Sequence, residues 1–558
     1  MLLEPASMQR PQSPCRFSLR SSRRGFRQQL LALGLLGLTL AGVPAQAAED
    51  GETKVVAQAS TGPLIEWQDE ADAMASESDL YQRMRYAAQV AAAVQGSSEQ
   101  SALANGLARK VDEVVATTFT RLESYPTLAR VHSHEEPTWL GDRGDATAQA
   151  VLALASLERW KSDPLRRATL QKLSAGLAAL QRKDRLEYPF GAHLSWDDLE
   201  PMAAVDDGSR VPSTLFQTRR AFAVEALARA SQVLSDKNLL LSAEREALGM
   251  STHLVVQGKP LEGFSPQPVF SSDSTVMIPT VRGFLALYQA TDKKVYADLA
   301  ALGAVGAGSS AEWKPLLEEI ARTPAASLLQ ARPDGDPITF QVMEAEEGKV
   351  VNKAIETLGF EGPLGQRAAL AAMGRENTFW MRFDVPTEDD YVFYLTYLQS
   401  DIGGGLVSVM MRIDGDKIFQ VPLGDVDGRP IMRRKFVDGP RPLRAGPHSF
   451  GIRFSGLLMT KPALLDSVIV QPAVERREFT TADGDRLVVL RNVTGATART
   501  DRAAFEPWPP KEEMVVDGDG APAKLGHAED RRRRKHFLTL PAYGVAILKL
   551  APSATEAE

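Results

Sequence analysis

Apolar positions recur at helical spacing through residues 64–323 and at strand spacing from about residue 336 onward. In VRGFLALY, Val281, Phe284, Leu285 and Tyr288 fall at i, i+3, i+4 and i+7, one face of an amphipathic helix. Ala223, Leu227, Ala230 and Leu234 repeat that spacing within FQTRRAFAVEALARASQVL, and Val151, Leu154 and Leu157 mark another helix after Asp145. Helices are expected to start near Asp79, Asp145, Ser213 and Pro279, about 66–68 residues apart, room for a two-helix hairpin with its loops. Ser162-Asp163, Ser235-Asp236 and Thr291-Asp292 fall at the turn inside three of these hairpins, where short polar side chains stop one helix and cap the next.

After the Pro-, Gly- and Ala-rich RTPAASLLQARPDGDP the period drops to that of strands. FWMRFDV, YVFYLTYL, LVSVMMRIDG, HSFGIRF and DSVIVQP, separated by Gly, Pro and Asp turns, predict a β-sandwich over 336–472. RLVVLRNVTG and HFLTLPAYGVAILKL predict a small β domain over 474–551, followed by the polar tail APSATEAE. The expected class is therefore multidomain α + β, helical hairpins first and β-sandwich domains after.

The N-terminal 47 residues have a different composition. Arg10, Arg16, Arg20, Arg23, Arg24 and Arg27 precede an apolar run from Leu30 to Val43, and Ala45-Gln46-Ala47 supplies a small-residue cleavage site. We read residues 1–47 as a cleaved export signal leading to the periplasm or the extracellular space. SRRGF resembles the twin-arginine signal, with Arg27 where that pattern prefers leucine; a general secretory signal is the alternative. No later run is long and apolar enough for a span, so no membrane span is expected after cleavage. Cys15, the one cysteine, falls inside the signal, which excludes disulfides, a thiol nucleophile and cysteine metal ligation from the mature chain. Removing the signal takes six of 64 basic and one of 71 acidic residues, leaving a formal charge of −12. That acidity argues against nucleic acid as a partner.

FQVMEAEEG (340–348) crowds three carboxylates behind an apolar run. Strand alternation puts Glu344 and Glu346 on one face with Phe340 and Val342, and turns Glu347 away. Carboxylates about 7 Å apart along a strand suit a hard cation. They also approach the separation of a retaining glycosidase pair, roughly 5–5.5 Å. The order Glu-Ala-Glu, FEGPLG, FDVPTEDDYVFYLTY, LRAGPHSFGIRF and LLDSVIV resembles carbohydrate-binding modules of families 6 and 35 along nearly all of 336–472. The resemblance implies a structural calcium held by Glu344, Glu346 and Asp466. It also implies sugar-binding loops at one sandwich edge, around Phe360-Glu361-Gly362 and Gln399-Ser400-Asp401, where LQSDIGGG offers no stacking aromatic. Trp380 lies inside a strand and is expected to pack rather than to bind.

The repeated hairpins resemble the α/α toroids of polysaccharide lyases, glycoside hydrolases and uronyl epimerases; peptide-binding solenoid repeats are shorter, about 34–47 residues. Three long loops, 131–145, 185–210 and 263–277, each precede the first helix of a hairpin and are expected on one rim. They carry His132, His134, Glu135, Trp139, Trp196 and Phe270 as candidate substrate contacts, and Tyr188, His193 and Asp273 as candidate catalytic groups. Arg219 and Arg220 follow the second loop and suit a uronate carboxylate. Eliminative cleavage of a uronate would use His193 or Tyr188 as base or acid and Arg219 or Arg220 to neutralise the carboxylate. Hydrolysis would pair Glu135 or Glu136 with Asp197 or Asp273. His132 and His134, two apart, with a neighbouring glutamate also match a weak metal pattern.

The reading is an exported polysaccharide-active enzyme with calcium as structural cofactor and an acidic, uronate-containing glycan as partner. The alternative is a non-catalytic glycan-binding or scaffold protein of a polysaccharide export or cell-surface system. RRRRK (531–535) reads as a charged hairpin, and Asn492-Val493-Thr494 is a glycosylation sequon only in a compartment that modifies it.

Overall fold

The computed structural model describes residues 64, 67–77, 80–98, 101–119, 144–179, 213–252, 274–307, 312–334, 341–344, 349–350, 357–361, 367–373, 378–399, 407–423, 431–455 and 463–552. Residues 1–47, read above as an export signal, lie outside the described residues. Among them no helix is long and apolar enough to cross a membrane.

The helical part begins with α1 (Trp67–Ser76), α2 (Leu80–Gln95) and α3 (Ala102–Phe119), followed by α4 (Gly144–Trp160) and α5 (Pro164–Ala179). It continues with α6 (Ser213–Leu234), α7 (Lys237–Leu248), α8 (Ser274–Thr291), α9 (Lys294–Gly303) and α10 (Lys314–Ile320). The apolar stripes read from the sequence are the buried faces: Val151, Leu154 and Leu157, then Ala223, Leu227 and Ala230, then Val281, Phe284 and Leu285 all lie in one core. Removing each such Leu or Phe from water contributes about 1.5–3 kcal/mol, which sets the helices' arrangement more than propensity does. α2, α4, α6 and α8 pack in succession as one layer, each followed by its returning partner. At Gly283 the α8 backbone comes so near α6 that an added Cβ would meet Val224 Cγ1 at 3.1 Å.

Two of the three expected hairpin caps are present. Asp163 accepts the backbone N–H groups of Leu165 and Arg166 at 2.9 and 3.0 Å, and Asp236 accepts that of Asn238 at 2.8 Å. The third turn is built otherwise. Thr291 stays helical and donates its hydroxyl to Leu287 O at 2.7 Å, while Asp292 takes a left-handed φ of 57°. The hydroxyl satisfies a terminal carbonyl and also accepts the backbone N–H of Lys293 at 3.3 Å, one residue short of the next helix.

The chain next forms β1 (Arg332–Asp334), and only then the sandwich. Its strands are β2 (Gln341–Glu344), β3 (Lys349–Val350), β4 (Thr357–Glu361), β5 (Arg367–Met373), β6 (Thr378–Val385) and β7 (Asp390–Gln399). They are completed by β8 (Val407–Ile413), β9 (Asp416–Leu423), β10 (Ile431–Pro442), β11 (Gly446–Ser455) and β12 (Ala463–Pro472). One antiparallel sheet has the order β10-β7-β12-β5-β4, with β2 also on β12, and the other β3-β6-β11-β8-β9. Phe393 of one sheet stacks on Phe450 of the other at 5.5 Å between centroids, and Phe383 meets Phe393 edge-on at 5.9 Å. Trp380 is half-buried and lies opposite Gly451, where a Cβ would be 2.8 Å from its ring.

The last segment supplies β13 (Val474–Thr480), β14 (Arg486–Asn492), β15 (Ala498–Asp501), β16 (Glu512–Val516), β17 (Gly526–Asp530), β18 (Lys535–Leu540) and β19 (Val545–Leu550). Its main sheet has the order β1-β13-β14-β19-β16, and a smaller sheet has β15-β18-β17. Because β1 pairs with β13, with Arg332 opposite Thr480, the sandwich is an insertion between the first strand of this sheet and the rest. The two apolar runs of this segment follow from burial on both faces. Phe479, Leu487, Val489, Val545 and Ile547 join the helical core, whereas Val488, Leu490, Ala546, Leu548 and Leu550 pack with Leu538 and Phe505 on the other side.

The sequon is structural. Asn492 is fully buried, and its amide donates to the carbonyls of Ala496, Leu540 and Pro541 at 2.7, 3.2 and 2.8 Å.

Candidate functional site

Side-chain contacts fix the direction of the inner helices. Trp160, at the end of α4, donates from Nε1 to Ser97 O just beyond α2, at 3.0 Å. Arg159 of the same turn bonds Gln232 near the end of α6, and Gln289 near the end of α8 bonds Glu319 of α10. The carboxylate of Glu319 in turn feels Arg229 and Glu225 in the second half of α6. The C-terminal ends of α2, α4, α6 and α8 therefore share one side of the layer, and their starts share the other. Gly144, Ser213 and Ser274, the first residues of α4, α6 and α8, are where the three long loops enter. Parallel helices aim the positive ends of their dipoles at that side, a setting that favours anionic groups.

Most of the candidate site residues lie on those loops and outside the described residues: His132, His134, Glu135, Trp139, Tyr188, His193, Trp196, Phe270 and Asp273. Arg219 falls in the second turn of α6. The structure gives its neighbour a different position. Arg220 is 2% exposed and forms an ion pair with the fully buried Glu246 of α7. A guanidinium committed to a buried carboxylate is a packing element, because releasing it to a substrate would leave Glu246 uncompensated in the core.

A second polar cluster, absent from the candidate residues above, gathers around Thr252, which follows α7. Glu475, at the start of β13, accepts hydrogen bonds from Thr252 Oγ1 at 2.5 Å, Gln471 Nε2 at 2.6 Å and Arg491 Nη1 at 3.2 Å. All four residues are buried. They come from the helical part, the last sandwich strand and the terminal sheet, so one carboxylate ties the three together. The available signal was charge within apolar strands, Glu475 in VERREF and Arg491 in RLVVLRN.

The terminal sheet is seated on the helices through a second polar contact. The turn at Asp519-Gly520 meets α7 and α9: Arg245 Nε lies 2.9 Å from Asp519, and Lys293 Nζ donates to Gly520 O at 2.7 Å. Tyr296 is fully buried and donates to Glu244 at 3.0 Å; burial, and then the nearby Glu244, push its phenol well above the usual range.

In the sandwich, β2 pairs with β12 so that Glu344 lies opposite Ser467, next to Asp466. Asp466 is the extra residue where the β12–β7 register shifts between Leu465 and Ser467, a β-bulge. Glu346 lies outside the described residues. Backbone pairing thus puts Glu344 and Asp466 on adjacent strands within one residue of register, and a set of carboxylate oxygens is the donor chemistry a hard cation takes. Of the expected sugar-loop residues, Phe360 and Glu361 end β4 and Gln399 ends β7.

No family model and no curated protein match this chain. Among solved structures, the GH26-CBM35 β-(1,4)-mannanase of Podospora anserina matches at 16% identity over 24% of this chain and 27% of its own, with a TM-score of 0.18. The exo-β-1,3-galactanase of Phanerochaete chrysosporium matches at 21% over 24% and 29%, with a TM-score of 0.19. A GH115 4-O-methyl-α-glucuronidase with specificity for decorated arabinogalactans matches at 11% over 58% and 41%, again at 0.19. These neighbours are glycan-active enzymes by name, and this chain spans less than half the length of each. At such TM-scores the likeness carries no argument about this chain.

Proposed function

We propose that this protein is an exported polysaccharide-active enzyme that cleaves an acidic, uronate-containing glycan. The observation that carries the proposal is the shared direction of α4, α6 and α8. It brings the starts of three helices, fed by the three loops richest in aromatic and titratable residues, to one side of a rigid layer. Three dipole ends and Arg219 at that side would favour a substrate carboxylate. With Arg220 held in the core by Glu246, the neutralising role falls to Arg219.

In the eliminative route, His193 or Tyr188 takes the C5 proton and returns a proton to the leaving oxygen, and Arg219 holds the uronate carboxylate as charge develops on it. If the reaction is hydrolysis, Glu135 or Glu136 would pair with Asp197 or Asp273. Trp139, Trp196 and Phe270 offer faces for sugar rings, and His132 and His134 polar contacts. In the sandwich, Glu344, Glu346 and Asp466 would hold a calcium ion, which fixes strand ends by binding several oxygens.

The test incubates the mature protein with a panel of uronate polysaccharides and follows both the absorbance of unsaturated products and the release of reducing ends. Unsaturated product points to elimination, and reducing ends alone point to hydrolysis. Binding without product from any glycan would replace the enzyme with a glycan-binding or scaffold protein.

A further inference from the structure

We propose that the turn Arg531–Arg534, on the edge of the terminal domain, is a contact site for a carboxylate-bearing polysaccharide, separate from the helical face. The substrate class rests on the function proposed above; the site itself rests on the geometry of this turn.

The turn links β17 to β18, and all four arginines are exposed. Two basic side chains of the run are used internally. Arg533 and Lys535 lie 2.6 and 2.9 Å from the two oxygens of Glu388 on the sandwich, and Lys535 is also 3.5 Å from Asp501. Asp530 accepts the backbone N–H groups of Arg532 and Arg533, and its carboxylate lies 3.6 Å from Arg533 Nε. Arg531 is 90% exposed and reaches only the half-exposed Glu529, at 3.5 Å. That leaves Arg532 and Arg534, whose guanidinium groups have no partner among the described residues. Three exposed guanidinium groups thus project from one tight turn, while the pair behind them fixes the turn to the sandwich.

Arg534 carries the second argument. Its φ is 55°, in the left-handed region where a side chain costs backbone energy and glycine does not. Glycine would meet this conformation at lower cost, so the turn itself does not require an arginine here. Guanidinium groups take carboxylates in a planar, two-point fashion, which matches a uronate better than a neutral sugar. On a chain of net negative charge, a local cluster of guanidinium groups is a point where a polyanion meets attraction instead of repulsion.

The experiment uses the full mature chain in affinity electrophoresis through polygalacturonate, with highly methyl-esterified pectin and duplex DNA as comparison polymers, at two salt concentrations. The variants are Arg532→Gln, Arg534→Gly and the pair. Arg534→Gly is expected to melt at or above the parent temperature, so a loss of binding cannot be laid to unfolding. Retardation by polygalacturonate should exceed that by esterified pectin and weaken with salt. The double variant should bind about threefold to tenfold more weakly, the scale of two exposed ion pairs, with a shallower salt dependence. Unchanged binding in the double variant, equal binding to esterified pectin, or tighter binding to DNA would overturn the proposal. The two proposals can fail separately: absence of product with Arg-dependent binding sinks only the enzyme, and product with unchanged variant binding sinks only this site.

Discussion

Arg499 and Asp390 join the terminal domain to the sandwich through three contacts on one carboxylate. Arg499 donates from Nε at 3.1 Å and from Nη2 at 3.0 Å to Oδ1, and its backbone N–H reaches Oδ2 at 2.9 Å. Asp390 is 4% exposed, so the fork offsets the cost of burying its charge. Next to it, Asp389 accepts the backbone N–H of Asp501 at 2.7 Å. The sandwich is therefore seated on the terminal domain. Arg499→Ala should cost about 2 kcal/mol, less than the ~3–5 kcal/mol of a fully buried pair, because the arginine keeps part of its side chain in water. The urea midpoint of unfolding measures this, and an unchanged midpoint would mean that the fork does not hold the domains.

Glu388 gives the same seam a pH dependence. Burial pushes its carboxyl up, but hydrogen bonds and charge from Lys535 and Arg533 outweigh that and hold it below the usual range. A depressed carboxylate contributes stability that is fully present above its unfolded value, near 4.3, and is lost as pH falls through the folded value. The melting temperature should thus fall on acidification below about pH 4. Glu388→Gln should lower it at neutral pH and flatten the acid slope, measured by thermal melts across pH 3–7. A parallel slope in parent and variant would remove Glu388 from the explanation.

Arg219 and Arg220 are adjacent in sequence and should respond oppositely. Arg220→Ala leaves Glu246 buried without its partner and should lower stability by about 3–5 kcal/mol. Arg219→Ala should keep the melting temperature and lower activity on a uronate glycan. Equal melting temperatures for the two variants would contradict the buried ion pair.

The contact between Gly451 and Trp380 predicts a coupled pair. Gly451→Ala puts a methyl 2.8–2.9 Å from the indole and should destabilise by about 1–3 kcal/mol. Trp380→Leu removes the obstruction, so the double variant should be more stable than the sum of the singles implies. Strict additivity would show that the strands shift instead.

Removing calcium tests the proposed ion. A chelator should lower the melting temperature of the parent and leave an Asp466→Ala variant unmoved, because an ion bound only by the folded chain stabilises it by mass action. If the two melts respond alike, the carboxylates hold no ion.

The helical spacing of Val281, Phe284 and Leu285, the strand runs of the sandwich and the cap at Asp236 could all be read from the sequence, because each rests on local periodicity or on a side chain reaching two residues along. The same is true of Trp380 as a packing residue. What only the tertiary structure decided involves partners far apart in the chain. Nothing local distinguishes Arg220 from Arg219, and only the arrival of Glu246 from α7 assigns the first to the core. Likewise β1 belongs to a sheet whose next strand begins some 140 residues later, so a linear reading of domains misses the insertion. The continuous apolar runs of β14 and β19 show that both faces are buried, but not that helices cover one of them. Nothing local pairs Glu475, Asp390 and Glu388 with Arg491, Arg499 and Lys535, which the fold brings beside them. Pattern gives each element its buried face, whereas the burial and pairing of a charge depend on which distant element closes over it.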